Sequence, residues 1–206
     1  SGDYYQRVFV VSAYGGITNL LLEHKKNDQP GIYALFTSAD DEGAWRDAMT
    51  RLRAELQRIN RQLFGDTAQL TQANTFINRR LDEAEGVLDN LRNLCEHGHF
   101  ELADHLLTVR EMLASIGEAH SAWNTTKLLQ RDGINARFVD LSGWRTAQTL
   151  PLDQVISTAF AKLDLTAELP IVTGYAHCEE GLMDTFDRGY SEMTFSRIAV
   201  LTEARE

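Results

Sequence analysis

The apolar segment 7–12 (RVFVVS) constrains the fold more than any other part of the sequence. It is rich in β-branched and aromatic residues that do not alternate with polar ones, which predicts a buried strand of a parallel sheet covered on both faces. Gly15 and Gly16 end the run, and residues 17–22 have the pattern of a helix that opens directly afterwards. Such a turn can present backbone N–H groups to an anion, but many α/β proteins use it only to reverse the chain.

The middle of the chain has helical periodicity. Apolar residues recur every three or four positions in three stretches, 45–63, 70–95 and 100–113. Gly117 interrupts the third stretch, so we expect a new helix to begin at Glu118 and to end near Gly133.

Segment 25–43 is expected to be the longest loop, because it contains Pro30 and the acidic run at residues 40–42. Its acidic run, residues 40–42, is interpreted as a solvated face.

Strand patterns return after Gly133. Segments 136–141 and 169–175 are apolar and short, and a helical pattern over 152–163 lies between them. Strands that alternate with helices predict an α/β fold, mainly a parallel sheet covered by helices, with a long helical insert. Ligands of such sheets bind at the carboxyl ends of the strands, so we expect three segments to be neighbours there: residues 12–16, Asp140 and Gly174.

Composition limits the function classes. The 206 residues are 43% hydrophobic and carry a formal net charge of −10, which argues against a nucleic-acid or anionic-membrane partner. No apolar run approaches the roughly 20 residues that span a bilayer, and no secretory leader pattern opens the sequence. These features predict a soluble cytoplasmic protein.

Cys95 and Cys178 match no paired-cysteine motif, and we expect both to be buried thiols. Cys95, His97 and His99 include metal-ligand types, but their spacing matches no common zinc site. The competing interpretation is a helix C-terminus with histidines near its dipole.

Two charged residues are candidate ligand-binding groups. Glu118 can bind an amino group or can cap the helix that we expect to begin there. Arg188, beside a glycine, can grip a carboxylate or phosphate in bidentate geometry or can be solvated, and Ser191 and Glu192 beside it favour a site.

Five ordered blocks carry a family resemblance. They cover residues 10–21, 115–118, 139–140, 171–175 and 188–194. Together they resemble aspartate kinases of the amino-acid kinase family. Two of these segments, VVSAYGG in the first block and DRGYSE around the last, are most similar to the branch associated with ectoine biosynthesis.

The resemblance implies a three-layer sandwich in which residues 1–206 form part of a catalytic domain. This part would be the acceptor-binding half, with a helical insert at about 44–114. The implied reaction is transfer of the ATP γ-phosphoryl group to the β-carboxylate of L-aspartate, with Mg²⁺, to give 4-phospho-L-aspartate and ADP. The resemblance also implies a homo-oligomer when the protein is complete.

The resemblance also assigns substrate-binding roles. Three residues would line the acceptor pocket near the transferring phosphoryl group: Ser12, Ala13 and Thr18. Glu118 would help to hold the substrate, and Arg188 would grip its α-carboxylate. Ser191 and Glu192 would line the substrate pocket on the same side as Arg188.

The sequence departs from the family pattern in three ways. Nothing before Arg7 supplies the family's Lys-x-Gly-Gly-Thr-Ser lysine, so no catalytic residue is expected within the segment. The family's nucleotide-binding half and ACT domains would lie beyond Glu206, and we expect the 206 residues alone to be inactive. Asp187 and Glu192 stand where many members have glycine and aspartate. A kinase for another acceptor, such as glutamate, and a non-catalytic amino-acid-binding module stay open as alternatives.

Overall fold

The computed structural model describes residues 4–23, 29–38, 43–185 and 189–205. The chain divides into two compact units. The first, the sheet unit, comprises Ser1–Ala13 and Glu118–Glu206, and the second, the helical unit, comprises Tyr14–Gly117.

The sheet unit contains a parallel three-stranded sheet. Its strands are β1 (Phe9–Val11), β2 (Ala136–Val139) and β3 (Leu169–Thr173), in the order β1–β3–β2. Ile171 of β3 pairs with Phe9 on one side and with Phe138 on the other. All five residues of β3 are buried, which is typical of a central strand covered on both faces. The parallel α/β architecture predicted from the sequence is confirmed.

Helices cover both faces of this sheet. The helices of the unit are the second half of α5 (Leu106–Arg131), α6 (Leu152–Phe160), α7 (Leu182–Thr185) and α8 (Tyr190–Thr202). Val172 of β3 belongs to a core cluster with Ile156 of α6 and Ile198 of α8. The next residue towards the amino end, Ile171, belongs to a separate cluster with Ala122 of α5. Because successive strand residues point to opposite faces, the sheet lies between two helical layers.

The prediction that the first strand is covered on both faces is wrong for β1. Val8 is buried, but the side chain of Phe9 is 48% exposed. In the described part of the chain β1 pairs only with β3, so it is an edge strand with fewer neighbours to cover its side chains.

A glutamine side chain covers part of the opposite edge of the sheet. The Leu169 N–H donates to the Asn135 carbonyl at the start of the β2–β3 ladder. Because the bonding groups alternate along a strand, the Ala136 carbonyl faces away from β3. Gln130 Nε2 of α5 donates to that carbonyl at 2.8 Å, and the Arg137 guanidinium forms an ion pair with Glu168 at 2.7 Å.

The helical unit is built around a helical hairpin. Its elements are α1 (Ile17–Leu21), α2 (Ile32–Thr37), α3 (Ala44–Phe64), α4 (Ala68–Cys95), a 3-10 turn (Leu102–His105) and the first half of α5. Gly65, with φ of 57°, ends α3 and lies between the predicted stretches 45–63 and 70–95. Arg53 of α3 pairs with Asp82 of α4 at 2.7 Å. Asn60 donates to Asn74 at 3.0 Å, so the two helices run antiparallel.

The expected loop over 25–43 contains the helix α2. Ile32 and Phe36, four residues apart, are fully buried. The Phe36 ring packs edge-to-face on Trp45, with centroids 5.7 Å apart. A helix of six residues is too short to give a recognisable period, and tertiary burial stabilises it instead. The acidic run 40–42 lies outside the described residues.

The predicted break at Gly117 is also wrong, because α5 runs through it without interruption. Ile116 and Ala119, on either side, are fully buried. A mid-helix glycine costs about 1 kcal/mol relative to alanine. Burying one isoleucine side chain contributes about 2 kcal/mol, so packing outweighs the local preference for a break.

In the ranges that the structure describes, no helix combines the length and the apolar character needed to cross a bilayer.

Candidate functional site

The carboxyl ends of the three strands meet at one edge of the sheet. Ser12 follows β1, Asp140 follows β2 and Gly174 follows β3, and all three strands are parallel. This confirms the prediction that these three positions share an edge, which is where open α/β sheets bind ligands.

Glu118 is buried in the middle of α5 and reaches the end of β3. Its Oε2 accepts a hydrogen bond from the Tyr175 backbone N–H. Its Oε1 accepts one from the Ser191 hydroxyl at 3.0 Å. The alternative of a helix-capping acid is wrong, because α5 begins at Leu106 and Glu118 has no free helix end to cap.

The first turn of α8 supplies one of these two donors. Gly189, with φ of 91°, is the residue before the helix, and Ser191 lies in the first turn. The Ser12 hydroxyl donates to Ser191 Oγ at 3.3 Å. Ser191, at the amino end of α8, thus connects Ser12 at the carboxyl end of β1 to the Glu118 carboxylate.

Ser121 links the backbone of the same region. Its hydroxyl lies 2.7 Å from the Ser12 carbonyl oxygen and 2.9 Å from the Glu118 carbonyl oxygen, and it can donate to either. Ser121 follows Glu118 by three residues, about one helical turn, so both lie on one side of α5.

Gly174 leaves the space that Ser191 occupies. The Gly174 N–H donates to the Val11 carbonyl at 3.0 Å. A Cβ at this position would lie 2.6 Å from Ser191 Oγ, 2.9 Å from Ser191 Cβ and 3.1 Å from the Val11 oxygen. Any side chain here would collide with Ser191 unless the first turn of α8 moved, so glycine fits this position best.

Burial changes the acid–base behaviour of Glu118. Desolvation raises its pKa from 4.5 to about 7, although the hydrogen bonds from Ser191 and Tyr175 act in the opposite direction. The nearby charge of Glu192 raises the pKa further. A buried carboxyl balanced in this way strongly favours a cationic partner, because the partner would stabilise the ionised form.

His120 is fully buried on α5, two residues beyond Glu118. Its Nε2 lies 3.1 Å from Asn124 Nδ2. Burial lowers the pKa of His120 from 6.5 to about 4, so the ring is neutral at pH 7.

The remaining predicted site residues are less closely connected. Ala13 is half-buried and is the last residue of the first segment of the sheet unit. Thr18 is half-buried on α1 in the helical unit. Glu192 is exposed in the first turn of α8. Arg188 and Asp187 lie outside the described residues.

The cysteine and histidine cluster forms no metal centre in the described ranges. No group of three or more His, Cys, Asp or Glu side chains there is arranged to hold an ion. Cys178 is a buried free thiol, as predicted, and burial raises its pKa to about 12. The prediction of a buried thiol is wrong for Cys95, which is partly exposed because it is the last residue of α4.

Sequence reasoning missed two contributors to the site. The Tyr175 donor is a backbone N–H, which leaves no residue-type signal. Ser121 had a usable signal, since a hydroxyl one turn after a candidate carboxylate lies on the same helix face.

Comparison with known proteins gives the family. The amino acid kinase family matches residues 1–206. Aspartate kinase Ask_Ect from Stutzerimonas stutzeri (strain A1501) is 54% identical over 202 residues, which is 98% of this chain and 42% of that protein. The chain therefore spans less than half the length of this curated relative. No solved structure matches the chain. Because the family match extends over all 206 residues, the chain belongs to the amino acid kinase family.

Proposed function

We propose that this chain is the acceptor-binding part of an aspartate kinase that acts in ectoine or aspartate-family amino-acid biosynthesis. The complete enzyme transfers the ATP γ-phosphoryl group to the β-carboxylate of L-aspartate and releases 4-phospho-L-aspartate and ADP. The observation that supports this most directly is the buried Glu118 carboxylate, held at the carboxyl edge of the sheet by Tyr175 and Ser191. The name of the relative from Stutzerimonas stutzeri points to the same reaction.

Glu118 accepts hydrogen bonds from the substrate ammonium group in this proposal. With a pKa of about 7, the Glu118 carboxyl without a ligand is partly protonated at neutral pH. A bound ammonium group would lower this pKa and so favour the ionised carboxylate. Arg188 binds the α-carboxylate, since guanidinium and carboxylate match in bidentate geometry. Ser191 and Glu192 complete this wall.

The β-carboxylate of the substrate is placed at the end of β1. Ser12 and Ala13 line this side of the acceptor pocket, near the transferring phosphoryl group, and Thr18 is assigned to the acceptor pocket from the family resemblance alone. Transfer requires in-line positioning and charge neutralisation, and no covalent nucleophile is needed.

ATP and Mg²⁺ are the cofactors of the proposed reaction. Mg²⁺ neutralises phosphate charge and prefers oxygen ligands. The described residues offer no group of three side chains suited to an ion. We therefore propose that Mg²⁺ is bound by the ATP phosphates and by residues of the longer protein.

The longer protein is proposed to carry the nucleotide-binding half and the ACT domains. Residues 44–114 are proposed to be a helical insert in the acceptor-binding half. The complete enzyme is proposed to be a cytoplasmic homo-oligomer, and the 206 residues alone to be inactive.

The test is acyl-phosphate formation by the complete protein, trapped as a hydroxamate, with ATP and Mg²⁺. Glu118→Gln keeps the size of the side chain and removes its charge, so we expect the aspartate KM to rise by about 100-fold. Arg188→Ala should raise the aspartate KM similarly, and both variants should leave the ATP KM nearly unchanged. Glu96→Gln, at the exposed end of α4, is the matched control and should behave as wild type.

The outcomes separate the alternatives. Turnover with glutamate in preference to aspartate would indicate another acceptor. Aspartate binding without ATP turnover would indicate a binding module. An equal rise of both KM values in Glu118→Gln would contradict the role assigned to Glu118.

A further inference from the structure

Thr173, the last residue of β3, uses its hydroxyl twice. The side chain is fully buried. Its Oγ1 accepts a hydrogen bond from the Leu141 N–H at 3.0 Å and donates one to the Tyr175 carbonyl at 2.9 Å. A hydroxyl is the smallest side-chain group that can accept and donate at the same time.

These two bonds join the loops that follow β2 and β3. Leu141 lies two residues beyond the end of β2. Its carbonyl accepts the His177 N–H at 2.8 Å, which adds a second link between the same loops. Thr173 is therefore part of a short hydrogen-bonded bridge at the carboxyl edge of the sheet.

Tyr175 is fixed on both sides of its backbone. Thr173 holds the Tyr175 carbonyl, and the Tyr175 N–H donates to Glu118. The buried Tyr175 ring packs edge-to-face on Tyr190, with centroids 6.0 Å apart and an interplanar angle of 81°. Tyr190 directly precedes Ser191, so Tyr175 also supports the second donor to Glu118.

We propose that Thr173 is a positioning residue for the acceptor site. Its hydroxyl sets the Tyr175 backbone so that the N–H points at Glu118, and Glu118 in turn is held in place for the substrate ammonium group. This inference rests on the proposed function, since it assigns Thr173 to the aspartate half of that reaction. Thr173 itself does not touch the substrate.

Valine is the informative substitution. It has nearly the shape of threonine but lacks the hydroxyl, so it leaves a buried N–H and a buried carbonyl without their partner. Serine retains the hydroxyl and loses only a methyl group. The two variants therefore separate hydrogen bonding from packing.

A second buried threonine provides the control. Thr126 of α5 is 2% exposed, and its hydroxyl donates to the Ala122 carbonyl at 2.8 Å. Thr126→Val removes a buried hydroxyl that bonds only within its own helix, away from the strand ends. Any loss that it shares with Thr173→Val is a general cost of the substitution.

The experiment uses the complete protein and measures hydroxamate formation together with hydrogen–deuterium exchange of the peptide that carries Tyr175. We expect Thr173→Val to raise the aspartate KM by about tenfold, with the ATP KM and kcat changed by no more than about twofold. Exchange of the Tyr175 peptide should be faster in Thr173→Val. Thr173→Ser and Thr126→Val should match wild type in both measurements.

Two results would overturn the inference. One is an aspartate KM in Thr173→Val equal to that of Thr126→Val, and the other is a serine variant as impaired as the valine variant. If wild type itself showed no aspartate turnover, the proposed function would fail. Exchange at Tyr175 would then still decide separately whether Thr173 holds that segment, and unchanged exchange would reject the positioning role.

Discussion

Replacing Gly174 with alanine tests the packing at the carboxyl edge of the sheet. The added Cβ would lie 2.9 Å from Ser191 Cβ, a contact that rotation of the hydroxyl cannot relieve. The first turn of α8 must therefore move away from β3. That movement would lengthen the 3.0 Å hydrogen bond from Ser191 to Glu118.

The magnitude follows from three contributions. Forcing a methyl group into a packed site costs about 2 kcal/mol, and loss of one hydrogen bond costs about 1 kcal/mol. The φ of Gly174 is not positive, so alanine recovers about 0.7 kcal/mol by restricting the unfolded chain. We expect Gly174→Ala to lower the free energy of unfolding by about 2 kcal/mol.

Gly86→Ala is the matched control. Gly86 lies inside α4, and an added Cβ there would meet nothing within 4 Å. This change should raise the free energy of unfolding by about 1 kcal/mol.

Urea unfolding of the complete protein, followed by circular dichroism, measures the free energy of unfolding of each variant for the domain that contains α4 and α8. The expected separation between the two variants is about 3 kcal/mol. Equal stabilities would refute the reasoning, because the two substitutions differ mainly in the contact with Ser191. Gly174→Ala should also raise the aspartate KM, whereas Gly86→Ala should not.

Two further predictions concern stability. His120 has a lowered pKa, so its contribution is present above about pH 6.5 and is lost as the pH falls towards 4, whereas the contribution of Glu118, with a raised pKa, is present below about pH 4.5 and is lost as the pH rises towards 7. Relative to wild type between pH 4.5 and 6.5, the free energy of unfolding of His120→Gln should therefore fall with rising pH and that of Glu118→Gln should rise, each by at most about 1.4 kcal/mol per pH unit. Differences from wild type that change in the same direction with pH in urea unfolding would contradict this. Leu56→Ala, at a fully buried position of α3, should lower the free energy of unfolding by about 3 kcal/mol. Val87→Ala on α4, where the side chain is 47% exposed, should change it by no more than about 0.5 kcal/mol. Similar losses of stability in thermal unfolding would show that the core of the helical hairpin is misassigned.

The long helices could be predicted because their apolar residues repeat over many turns. Both α3 and α4 match the predicted stretches closely, and Gly65 marks the break between them. Local signals failed where tertiary packing decides the outcome. Gly117 suggested a break that the buried residues beside it override, and α2 is too short for its period to be read.

The site could be predicted only in part for a related reason. The rule for parallel sheets brought Ser12 and Gly174 to one edge without knowledge of the fold. The environment of Glu118 could not be predicted, because its donors lie 57 and 73 residues away in sequence. One of those donors is the backbone N–H of Tyr175, which the residue type does not indicate.

The hydrogen bond from Gln130 to the outer edge of β2 affects how this domain meets other chains. An open strand edge is a template for intermolecular β-pairing, which leads to aggregation. The Ala136 carbonyl on that edge is already occupied by Gln130, and the Arg137–Glu168 ion pair places charge on the same strand. A passing extended peptide would have to displace an internal donor and desolvate a guanidinium before it could add a strand. Within the described part of the chain, Gln130 therefore leaves one fewer open acceptor on this edge for a strand of another molecule.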